Sequence, residues 1–156
     1  MAGKIVSRCN MTFGSNRRTP DGIHNAEVFM NWAYLSVLAV GVMPVVCTAI
    51  AKAGAKHYDN HDVRTWLARQ TGFRARANAA QSNCFEAFPF FAVGVVSALL
   101  SGVDHAKIDA LSVTFVLVRI AYIGCYLADK ATFRSIVWAI GYICIITLYA
   151  LAIQTS

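Results

Sequence analysis

The chain has 156 residues, of which 57% are hydrophobic and 14% charged, with a formal net charge of +6 and a mean hydropathy of +0.51. Values this apolar exclude an ordinary soluble domain, and a positive balance spread along the chain fits membrane topology and lipid headgroups rather than nucleic-acid binding. No internal repeat, dinucleotide fingerprint, phosphate-binding loop or zinc-protease motif is present.

The first 27 residues hold four of the basic residues and little periodicity. They lack the apolar core of a secretion signal and read as an uncleaved, ordered basic extension ahead of a transmembrane domain over residues 28–156. Four apolar runs follow, at 28–51, 77–100, 110–128 and 135–153. A spanning helix needs about 20 apolar residues, so the expected fold is an all-α integral membrane protein, a four-helix transmembrane bundle. Any chemistry must then sit inside or at the rim of that bundle.

Between the first two runs, "AKHYDNHDVRTW" places His57 and His61 four apart, with Asp59 and Asp62 close by. A third convergent ligand is lacking, so a solvated loop is expected and no metal is assigned. Cys9, Cys47, Cys84, Cys125 and Cys144 form no C-x-x-C pair and read as structural thiols. Asn31, Pro44, Trp32, Trp66 and Trp138 read as packing residues and interface anchors. Lys and Arg collect on the cytoplasmic side of short loops. The first and third connections carry eight basic residues against five on the opposite side. Loops one and three are therefore expected in the cytoplasm, and both termini outside.

Ionisable groups inside the apolar runs are the exceptions that need a reason, because a bare charge there costs at least about 2.5 kcal/mol. Asn83 and Glu86, three apart, share a helix face in the second run, and Pro89 follows one turn later. Arg119, Tyr122 and Tyr126 form a polar and aromatic seam in the third run. Facing seams would let Arg119 neutralise Glu86 directly or through a ligand, although helices in lipid are also glued together by such groups. Arg134 and Ser135 stand where the fourth run begins. That is a usual place for a snorkelling anchor, and also one where a helix N-terminus favours an anion.

Two stretches carry a family resemblance. "AQSNCFEAFPFF", with Arg74 and Arg76 ahead of Asn83, Glu86 and Pro89, resembles the signature of the MAPEG family, and most of all its leukotriene C synthase branch. "VRIAYIGCYLADKATFRS", with Arg119, Tyr126, Arg134 and Ser135, is similar to the passage between the third and fourth helices of microsomal prostaglandin E synthase. The lead-in "GFRARANAAQ" looks like a bacterial branch of the family.

The resemblance implies a homotrimer in a bacterial inner membrane or an endoplasmic-reticulum-type membrane, with glutathione bound as co-substrate between subunits and lipophilic substrates arriving from the membrane lipids. Asn83, Glu86, Arg119, Tyr126 and Arg76 would bind glutathione. Arg134 would stabilise its thiolate, with Ser135 an auxiliary donor. The implied function is a glutathione (or related thiol) transferase or peroxidase acting on lipophilic electrophiles or hydroperoxides. The alternative is a non-catalytic, lipid-binding or accessory subunit of a larger membrane complex. Ala79, Ser82 and Trp138 depart from the resemblance: the synthases have an arginine at the first position, the prostaglandin enzyme another at the second, and a tyrosine stands at the third.

Overall fold

The computed structural model describes residues 21–55 and 58–156, with side chains from residue 32 onward. The N-terminal residues 1–20, Cys9 among them, and His57 lie outside the described residues. Five helices follow one another: α1 (Asp21–Lys52), α2 (Val63–Ala68), α3 (Gly72–Leu100), α4 (His105–Leu127) and α5 (Ala131–Thr155). The four long ones are each long and apolar enough to cross a membrane, and the chain is a multi-pass membrane protein. Among the described residues there are no strands.

One short helix is additional to the reading by apolar runs, and all four long helices begin ahead of their runs. The first connection contains α2, capped by Asp62, whose side chain accepts the backbone N–H of Thr65 at 3.2 Å. Helix α3 begins at Gly72, five residues ahead of its apolar run, so Arg74 and Arg76 ride on its opening turns rather than in a loop. Helices can outrun their apolar stretch because backbone bonding continues into the interface, where charged side chains reach water. In the same connection His61 is exposed, and the Asp59 carboxylate accepts its backbone N–H.

The helices pack in a ring in which α1 neighbours α3 and α4, α5 neighbours the same two, and α3 meets α4 across the middle. That order matters for the site, because the two helices carrying buried polar groups face each other. Alanines, Cys84 and Gly94 line the inner face of α3 at helical spacing (Ala77, Ala80, Ala87, Ala98). Small residues let helix backbones approach closely in lipid, where water supplies no driving force between helices. At Gly94 an added Cβ would stand 3.2 Å from the Tyr149 ring of α5. On the same face Phe91 stacks with Phe115 of α4, with centroids 4.2 Å apart.

Large apolar side chains such as Leu38, Val45, Leu117, Ile120, Ile143, Ile146 and Ile153 point outward. This is the pattern of a surface solvated by hydrocarbon. Several hydroxyls on the long helices bond back to the carbonyl one turn earlier, as at Thr48, Thr114, Thr147 and Thr155. Such bonds satisfy these donors without water.

Candidate functional site

Arg119 enters the bundle from α4 and is only 2% exposed. One of its Nη2 hydrogens is donated to Asn83 Oδ1 at 2.9 Å, and the same nitrogen lies 3.4 Å from Cys84 Sγ. Asn83 in turn donates through Nδ2 to Glu86 Oε2 at 3.4 Å. The two seams do face each other, and of the two expected arrangements, a direct Glu86–Arg119 pair or one through a ligand, the direct pair is not formed; the two are joined by a relay through the Asn83 amide.

Helix geometry explains the relay. Successive residues turn by about 100°, so Arg119 fits between the directions of Asn83 and Cys84, whereas Glu86 sits on the far side of Asn83 and is exposed. Among the described residues the guanidinium thus has an amide oxygen and a sulfur as acceptors, while its Nε is buried without a partner. Cys84, read from sequence as structural, therefore lies at the head of the site. Nothing in its spacing could show this, since its contact is made by a helix 35 residues away.

From Arg119 the polar seam runs along α4 towards the α4–α5 turn. The guanidinium carbon lies 4.4 Å from the centroid of the Tyr122 ring. Tyr122 meets Tyr126 edge to face at 5.4 Å, and the Arg134 guanidinium covers the Tyr126 ring at 4.3 Å. Stacking of this kind holds a cation in place while leaving its N–H groups free to bind.

Here the seam opens into a crevice of about 430 Å³ lined by Tyr122, Tyr126, Arg134, Ser135, Trp138 and Ala139. Ser135 is exposed and donates to the Ala131 carbonyl at 3.2 Å. Trp138 forms one wall and also packs against Tyr142, at 4.4 Å between centroids.

Arg76 is placed differently. It reaches the end of α4, donating from Nη2 to the Leu127 carbonyl at 3.3 Å, with Nη1 3.6 Å from Asp129 Oδ2. The outer side of α3 carries a second concavity, of about 460 Å³, lined by Thr48, Val63, Arg64, Leu67, Asn78, Gln81, Ser82 and Phe85. An apolar extension of about 350 Å³ shares Thr48, Gln81 and Phe85 with it and ends at Lys52. Neither Arg64 nor Lys52 stood out in the sequence, because each becomes part of a site only when α1 and α2 fold against α3.

Of the seven residues picked out by resemblance, Asn83, Glu86, Arg119, Tyr126 and Arg134 form one unbroken series of contacts with Tyr122. Ser135 adjoins it and Arg76 stands apart. Fold and site together define a multi-pass helical membrane protein with a cationic, aromatic crevice beside a buried polar seam. A sequence model of the MAPEG family matches residues 32–154, so the chain belongs to that family, which covers glutathione transferases and related membrane proteins. No curated protein and no solved structure gives a significant match.

Proposed function

We propose that the protein activates glutathione, or a related thiol, in the Arg134 crevice for transfer to a lipophilic electrophile or for reduction of a hydroperoxide. The observation that carries this reading is the continuous series from Asn83 and Arg119 through Tyr122 and Tyr126 to Arg134, ending in an open space of ligand size. A free thiol has a pKa of about 8.5, and an adjacent fixed cation favours its ionised, nucleophilic form. Arg134, steadied on Tyr126, would supply that cation. Its sulfur partner would then attack the electrophilic carbon and expel a leaving group such as halide, or attack the terminal oxygen of a hydroperoxide. The second course breaks the O–O bond to release an alkoxide, which takes up a proton, and a sulfenic acid, which a second thiol reduces to disulfide and water. The thiol proton would pass to water, and Ser135 would turn from Ala131 to donate towards the sulfur.

Glu86 supports assembly of more than one copy. It is exposed on a membrane-spanning helix, and an exposed carboxylate in lipid is costly. A neighbouring subunit in a homotrimer would cover it and bring the groove outside α3 towards the crevice of that neighbour. The α1–α3 connection and the α4–α5 turn, being the more basic, would lie in the cytoplasm.

The test is Arg134→Ala in purified, assembled protein. Turnover of a small aryl halide with glutathione should fall by roughly 10²-fold, the scale of a lost electrostatic contact to the reacting atom. Unchanged turnover would refute the assignment.

A second reading, a non-catalytic lipid-binding or accessory subunit, is favoured by one specific observation. Ala79 stands where the synthases it resembles have an arginine, Ser82 where the prostaglandin enzyme has another, and Arg76 is engaged at the α4–α5 turn. Calorimetric titration with glutathione separates the two, because absence of binding at millimolar ligand rules out glutathione as the co-substrate and counts for this second reading.

A further inference from the structure

Arg76 links the start of α3 to a turn more than 50 residues later, and it does so at the place from which Arg134 is suspended. Helix α4 closes with paired bonds, Lys130 N–H to the Cys125 carbonyl at 2.9 Å and Asp129 N–H to the Tyr126 carbonyl at 3.2 Å. This closure requires a left-handed residue, usually glycine. Here it is Asp129, with φ 59°, the only described non-glycine residue at positive φ.

The closure leaves the Leu127 carbonyl to be satisfied from outside, and Arg76 takes it while also meeting the carboxylate of the left-handed residue. Two residues later α5 begins. The Arg134 backbone N–H bonds to the Lys130 carbonyl at 2.9 Å, and its side chain lies on Tyr126. A single guanidinium thus ties together the helix end that presents Tyr126 and the turn that presents Arg134.

We propose that Arg76 and Asp129 form a positioning clamp for the thiol-activating arginine, fixing the α4–α5 turn so that Arg134 stays against Tyr126 and faces the crevice. The inference rests on the proposed function and reassigns Arg76 from glutathione ligand to positioning residue. Asp129 is 72% exposed, and an exposed ion pair contributes little to stability. What the clamp controls is geometry. Thiolate stabilisation depends steeply on the distance between cation and sulfur, and displacements of about 1 Å can lower rates by roughly 10²-fold. Of the titratable or charged groups near Arg134, Tyr126 lies under its guanidinium, Tyr122 shares the crevice, and Asp129 and Lys130 belong to the turn that carries it.

The test is the pH profile of glutathione-dependent aryl halide conjugation by the full chain. Arg76→Ala should move the apparent thiol pKa towards the free value of about 8.5. Turnover at neutral pH should fall roughly tenfold, the equivalent of one pKa unit, with the KM for glutathione little altered. Arg76→Lys should recover part of the loss. Asp129→Gly, which keeps the left-handed turn and removes only the carboxylate, should give an intermediate shift without unfolding.

Because Arg76 acts through Arg134, the Arg76→Ala/Arg134→Ala double variant should be no slower than Arg134→Ala alone. Independent, multiplying losses would overturn the clamp, and so would an unshifted pH profile with a raised KM, which would make Arg76 a ligand. If the wild type shows no thiol-dependent turnover, the proposed function fails and takes the clamp with it. If the wild type is active and the Arg76 and Asp129 variants share its pH profile, only the clamp fails.

Discussion

Arg119 shows how a cation is kept inside a lipid-embedded bundle with no carboxylate in direct contact among the described residues. Its charge is spread over an amide oxygen, a sulfur and an aromatic face, and only the amide is a strong acceptor. Asn83→Ala should therefore lower stability by about 1.5 to 3 kcal/mol, the range for hydrogen bonds to charged groups. Cys84→Ala should cost less than half as much. Thermal unfolding in detergent measures both, and the reverse order would mean that sulfur is the principal partner. The candidates Asn83, Glu86 and Arg119 were legible in sequence because ionisable and amide groups stand out in apolar runs. Cys84 was not, since a thiol is unremarkable in a core and acquires a role only from what approaches it.

At the scale of elements, close packing of α3 on α5 depends on the absence of a side chain at Gly94. Alanine there would press on the Tyr149 ring at 3.2 Å, and the ring can give by a few tenths of an ångström at the expense of its 3.3 Å bond to the Phe90 carbonyl. Isoleucine cannot be absorbed in this way. Gly94→Ile should destabilise by about 1 to 3 kcal/mol, as overpacking does, while Gly94→Ala stays within about 1 kcal/mol of wild type; melting temperatures of the two variants decide it.

Helix α2 responds to pH instead. Bonds from Thr65 hold the Asp62 carboxyl below its ordinary range. A pKa depressed by folding means that the capping contribution is present above the ordinary carboxylate range and is lost as pH falls through the folded value. Amides 65–67 should thus lose hydrogen-exchange protection as pH falls below the ordinary aspartate value of about 3.9, and protection that persists in strong acid would show that packing alone maintains α2. This helix escaped the sequence reading because six residues are too few to display a period. The four long helices did not, since runs of about 20 apolar residues have few other uses.

For the whole molecule, the outward apolar side chains are matched to lipid, but Glu86 is not. Native mass measurement in detergent should find three copies of the 17.0 kDa chain, and Glu86→Arg, which places a cation where the neighbour is expected to present Arg134, should shift the population towards monomers. A purely monomeric wild type would leave the carboxylate to be solvated by headgroups or water and would remove the reason for subunit-shared sites.

Length, hydropathy and the spacing of a few polar residues were enough to establish a four-helix membrane protein and the side chains that do not belong in lipid, because the bilayer penalises every polar group and so makes each survivor conspicuous. Partnership was decided only by the tertiary structure. The ring order that sets α3 against α4, the amide between Glu86 and Arg119, and the use of Arg76 on a distant turn all depend on how helices rotate and end, and one residue of rotation redirects a side chain by about 100°.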